Sequence, residues 1–113
     1  MPMIDARFSV PMTPAQQTAL KTRFGRAVEC LPGKSESWLM VGLTPNACLY
    51  FKGDPAPAAY VEVSVFGELD PRGCENMTAE ICAAVEEILS IPPDRVYVRY
   101  GSTKTWGWNG GNF

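Results

Sequence analysis

A strand–helix–strand pattern that occurs twice within 113 residues limits the fold of this chain more than any other feature. From Met3 to Val10, the residues Ile4, Ala6, Phe8 and Val10 alternate with Asp5, Arg7 and Ser9, the two-residue period of a half-buried strand. Thr13-Pro14-Ala15-Gln16 then combines a capping-box pattern with proline at the first helical position. Leu20, Phe24, Ala27 and Val28 recur at helical spacing, which predicts a helix from about Pro14 to Cys30, ended by Pro32-Gly33. Ser37 to Leu43 reads as a strand, Thr44-Pro45-Asn46 as a turn and Cys48 to Phe51 as a short further strand. After Lys52-Gly53-Asp54-Pro55 the pattern repeats. Ala59, Val61, Val63 and Val65 alternate with Tyr60, Glu62, Ser64 and Phe66. A helix carrying Met77, Ile81, Val85, Ile88 and Leu89 stops before Pro92-Pro93, and Arg95 to Tyr100 is the answering strand. The tail from Trp106 to Phe113 is glycine-rich, aromatic and too irregular to assign.

Helices long enough to cross over imply parallel pairing within each half. The expectation is a single α+β domain spanning residues 1–113. It is a two-layer β-α-β pseudo-repeat: a four-stranded mixed sheet with two helices on one face. The other face, read as rich in Val, Tyr and Phe, then needs a partner surface.

Composition removes several function classes. Hydrophobic residues at 46% with charged residues at 19% describe a globular, soluble chain. A net charge of -2 and the lack of any Lys/Arg cluster give no reason to expect nucleic acid. No apolar run reaches membrane-spanning length, and the start lacks the basic and apolar regions of a signal peptide. The expected location is cytoplasmic, with export by a route that needs no signal left open. Cys30, Cys48, Cys74 and Cys82 form no C-x-x-C pair, and with no histidine present they argue against a structural zinc site. They read as scattered, mostly buried thiols.

The missing histidine also removes the usual neutral-pH proton carrier. Pro2 offers a replacement. A small residue after the initiator normally lets Met1 be removed, leaving a secondary amine, and α-amino groups titrate near roughly 7.7–8.0. Pro2 shares the parity of Ile4 and Phe8, so it turns toward the apolar side, where desolvation lowers that value further. Taken alone, Met1-Pro2 indicates only efficient trimming.

In order and spacing, several segments together resemble the macrophage migration inhibitory factor and D-dopachrome tautomerase family. They are Met1-Pro2-Met3, Pro32-Gly33-Lys34, Phe51-Lys52-Gly53, Ile91-Pro92-Pro93-Asp94-Arg95-Val96-Tyr97-Val98, and Gly107-Trp108-Asn109 with terminal Phe113. The resemblance covers the whole chain and implies a homotrimer with sites at subunit interfaces. It implies cofactor-free keto–enol tautomerisation of aryl-pyruvate-like 2-oxo acids. It assigns the base to Pro2, the substrate-binding lysine to Lys34, the interfacial tyrosine to Tyr97 and the pocket tryptophan to Trp108. Val65, Phe66, Trp38, Trp106 and Phe113 fall at further pocket positions. The chain departs from the migration inhibitory factor itself in carrying Phe66 for an isoleucine, Trp38 for a tyrosine and Trp106 for a valine. Arg99 stands for an asparagine, as in the dopachrome-type branch. Ala58-Ala59-Tyr60-Val61 replaces a C-x-x-C pair, so no thiol-redox activity carries over.

Each residue also has a plainer reading. Lys34 is otherwise a loop lysine, and any single aromatic residue is otherwise core or interface packing. Tyr97 and Arg99 share a strand face with Arg95, which otherwise reads as solvated. With the resemblance, Arg99 is a second cation able to give a carboxylate two parallel hydrogen bonds. Two alternatives accompany the tautomerase: a cytokine-like binding protein, and a decarboxylase or hydratase of small carboxylates from the same superfamily.

Overall fold

The structure, a computed structural model, describes residues Met1–Phe113. β1 (Pro2–Phe8) leads to α1 (Pro14–Ala27), whose last turn tightens into a 3-10 turn over Val28–Cys30. The capping box forms as the sequence predicts. The Thr13 side chain accepts from the Gln16 N–H at 3.1 Å, and Gln16 Oε1 accepts from the Thr13 N–H at 2.9 Å. β2 (Met40–Thr44), β3 (Ala59–Phe66), α2 (Pro71–Leu89) and β4 (Val96–Thr103) follow. Asp70 caps α2 by accepting the Gly73 N–H at 2.8 Å, and Ser90, in the left-handed region, ends it.

The sheet order is β2-β1-β3-β4. β1 pairs parallel with β2 and β3 with β4, while β1 and β3 run antiparallel through the centre. This is the mixed sheet of two crossover units that the repeat implies. Residues of one parity along the central strands (Ile4, Ala6, Phe8, Val61, Val63, Val65) are buried in one cluster with Leu20, Phe24, Ile81 and Val85 of the helices. Burial of each of these valine, leucine, isoleucine and phenylalanine side chains is worth about 1.5–3 kcal/mol, so this layer dominates stability. Gln16 Nε2 reaches the Ile88 carbonyl at 3.2 Å and ties the helices together.

The helix-free face carries the expected tyrosines and phenylalanine but not the expected valines. The valines lie under the helices, and the open face carries Asp5, Arg7, Tyr60, Glu62, Tyr97 and Arg99 with Met3, Met40, Ser64 and Phe66 toward one end. Two strand assignments also change. Glu36–Trp38 is a 3-10 turn capped by Ser35, whose Oγ accepts the Ser37 N–H at 3.3 Å, so β2 starts only at Met40. Cys48 to Phe51 forms no strand. Left-handed Asn46 and Lys52 bend the chain at both ends, and only Phe51 pairs, with Asp54. The unassigned tail contains a hairpin, β5 (Gly107–Trp108) against β6 (Gly111–Asn112). Asn109 (φ 52°) and Gly110 (φ 81°) make the two-residue turn that suits such a hairpin. Cys30, Cys74 and Cys82 are half-buried and Cys48 is exposed, a more open set than expected. Tyr100 joins β4 to α2 by donating to the Cys74 carbonyl at 2.9 Å, and burial pushes its pKa up to about 12.

Candidate active site

Pro2 is the first residue of β1, buried and paired with Val65 of β3. Beside it opens a cleft of ≈ 690 Å³ whose walls include Trp38, Trp106 and Trp108. Each indole arrives by a different route. Trp38 ends the 3-10 turn before β2, and Trp108 lies in the C-terminal hairpin. Trp106 precedes that hairpin, and its carbonyl accepts the Phe113 N–H at 3.1 Å, which holds the chain end close. Trp38 meets Trp108 edge-on at 5.1 Å between ring centres. Trp108 stacks on Phe113 at 5.9 Å, and Phe113 meets Phe66 at 5.6 Å. The four rings form a continuous aromatic chain, an arrangement suited to a flat apolar ligand.

Lys34 occupies an adjoining hollow of ≈ 600 Å³, lined also by Phe66, Glu68 and Asp70. Its ammonium donates to the Phe66 carbonyl at 3.0 Å. The Phe66 N–H in turn donates to the Met1 carbonyl at 3.0 Å, so residue 66 links the amino terminus to the lysine. The terminal ammonium on Met1 is held below its ordinary 8.0, chiefly by burial and secondarily by repulsion from Lys34.

Pro2, Trp38, Trp106 and Trp108 thus share one cleft, and Lys34, Phe66 and Phe113 adjoin it. Val65 stands directly opposite Pro2 in the β1–β3 pairing, with its side chain wholly buried in the core. Tyr97 and Arg99 lie apart. Both are exposed on the helix-free face of β4, in register with Tyr60 and Glu62. Tyr60 donates its hydroxyl to Glu62 at 2.7 Å, which raises its pKa, while Arg99 and Arg7 pull weakly the other way. Met3, Met40 and Ser64 also line the cleft and escaped the sequence reading. They form one row across three strands, since Met3 is in register with both Met40 and Ser64. Only the inter-strand register reveals that row.

No helix is long and apolar enough to cross a membrane. The family model for macrophage migration inhibitory factor matches residues 1–113. The chain is 37% identical to MIF2 of Leishmania major, with a TM-score of 0.94, covering 100% of this chain and 97% of that one. It is 31% identical to a migration inhibitory factor homologue from Prochlorococcus marinus, with a TM-score of 0.88 and 98% of each chain covered. The rat macrophage migration inhibitory factor is 26% identical over 100% of this chain and 99% of its own length. With the family model matched from end to end and the paired β-α-β fold of its solved members, this chain belongs to the macrophage migration inhibitory factor family, within the tautomerase superfamily.

Proposed function

We propose that this protein, after loss of Met1, is a tautomerase of aryl-pyruvate-like 2-oxo acids, with the Pro2 amine as general base. The observation that carries this reading is the burial of Pro2 at the wall of an aromatic cleft, one residue from an amine whose pKa is already lowered. Removing Met1 turns the Pro2 nitrogen from an amide into a secondary amine subject to the same two influences, burial and Lys34. A base whose pKa lies near the working pH transfers protons best.

Trimming also frees the Phe66 N–H that Met1 engages. The site then has two donors close together, that N–H and the Lys34 ammonium, for the carboxylate and keto oxygens of the substrate. The aryl ring lies among Trp38, Trp106 and Trp108. Pro2 takes a proton from the carbon beside the ketone, and the electron pair moves to oxygen as an enolate that the two donors stabilise. Returning the proton to that oxygen completes the enol, so atoms and electrons balance without a cofactor.

In the same reading the assembly is a homotrimer, and Tyr97 and Arg99 of one copy complete the site of its neighbour. The exposed apolar residues of the sheet face and edge, Tyr97 at 62% and Met40 at 68% exposure, are then covered. The test is phenylpyruvate interconversion by protein whose mass shows Met1 removed, beside Pro2→Gly. The substitution keeps an amine but loses its secondary character and ring, and activity should fall at least tenfold. An unchanged rate removes Pro2 from the mechanism.

A further inference from the structure

The turn after Tyr50 is fixed more firmly than an exposed loop requires. Phe51 and Asp54 exchange both backbone hydrogen bonds at 3.0 Å across a two-residue turn. Lys52 (φ 55°) and Gly53 (φ 75°) both lie in the left-handed region. A lysine held there is strained and persists only where its surroundings over-determine it. Arg95 supplies that constraint. Its guanidinium donates to the carbonyls of Pro57 at 2.8 Å, Ala56 at 2.8 Å and Asp54 at 3.0 Å. The same guanidinium stands 5.3 Å from the centre of the Phe51 ring, and the Lys52 ammonium stands 5.6 Å from it. A planar fork can serve three carbonyls and still cover a ring, which a lysine cannot.

The Phe51 ring held in this way meets Tyr97 edge-to-face, with centres 5.0 Å apart and planes at 77°. Tyr97 is otherwise exposed. We infer that Phe51, clamped by Arg95, is a positioning residue: it presets the Tyr97 ring for the site that Tyr97 helps to complete. The inference rests on the proposed place of Tyr97 in a neighbouring copy's site. An exposed tyrosine left free would lose rotamer freedom on meeting substrate, and Phe51 removes that loss in advance.

A double-mutant cycle in the full chain tests this, using phenylpyruvate. Loss of an edge-to-face pair corresponds to about a twofold to tenfold effect, so Phe51→Leu should raise KM by that factor with kcat nearly unchanged. Phe51→Tyr, which keeps a ring, should restore KM. In a Tyr97→Ala background, Phe51→Leu should add nothing further. If its penalty persists there, Phe51 acts on the fold and the inference falls, although the tautomerase reading stands. If Tyr97→Ala leaves KM unchanged, the inference falls together with the role of Tyr97, while the role of Pro2 is unaffected. Should Phe51→Leu fail to fold, Arg95→Lys runs through the same cycle with the same expected and refuting results. An inactive parent overturns the proposed function and this inference with it.

Discussion

Keeping Met1 in place should abolish proton transfer while leaving the fold intact. In a chain extended by Gly-Ser ahead of Met1, the Pro2 nitrogen is an amide with no basicity. The nearest amine is then displaced by three residues, and each residue adds ~3.8 Å of chain against a proton-transfer reach of about 2.6–3.2 Å. A positioned base contributes about a hundredfold to ten-thousandfold in rate, equivalent to about 3–5 kcal/mol of barrier. The structure adds a second expected effect. Met1 lines the cleft, and its carbonyl occupies the Phe66 N–H at 3.0 Å, so KM should rise as well as kcat fall. The assay compares phenylpyruvate interconversion by extended and trimmed proteins, each confirmed by intact mass, with thermal unfolding as the control for folding. An extended protein within about tenfold of the trimmed one in kcat would refute the base assignment, because that margin is below what losing a positioned base costs.

Lys34→Ala should raise KM for phenylpyruvate and move the rising limb of the kcat/KM pH profile to higher pH. The neutral amine is the active form, and Lys34 is the second cause, after burial, that lowers the pKa of the amine carried by Met1; a limb that does not move removes Lys34 from the site's electrostatics. Light scattering at micromolar concentration should give three times the chain mass of 12.4 kDa, and a monomer would sink the shared site. Gly73→Ala should destabilise the protein despite alanine's better helix propensity, because the new Cβ would stand 2.6 Å from the Cys30 carbonyl oxygen. Relieving that overlap costs about 1–3 kcal/mol against about 1 kcal/mol gained in propensity. A net loss near 1 kcal/mol lowers Tm by ~4 °C or more in a domain of this size, and a raised Tm would show that the neighbouring segment yields freely.

The elements that could be read in advance are those whose signal is local. The alternation in β1 and β3 and the capping box of α1 depend on neighbours within one turn or one pleat, and they formed as the periodicities require. Trp38 misled because apolar residues at Trp38, Leu39 and Met40 suit a strand, while Ser35 three residues before Trp38 supplies a cap that starts a turn instead. Asn109-Gly110 was a legible turn signal. It was missed because the strands it joins are only two residues long, too short to show alternation.

The candidate site was legible as a list of residues more than as a place. Parity correctly turns Pro2 toward the buried side and puts Tyr97 and Arg99 together, yet it carries no relation between the two groups. That relation depends on register and on which face the helices cover. Pro2 lies at the end of β1 opposite Val65, whereas Arg99 aligns with Glu62 and Tyr97 with Tyr60, progressively farther along β3. Within one protomer, then, a base-and-aromatic half-site and a tyrosine–arginine surface are separate objects. The family resemblance joins them in one pocket. In the proposed reading the two meet between copies, with the β4 face of one against the Pro2 cleft of another. Dilution below the assembly's dissociation constant should therefore remove activity while each protomer remains folded, whereas a base acting within one chain would keep its specific activity at every concentration.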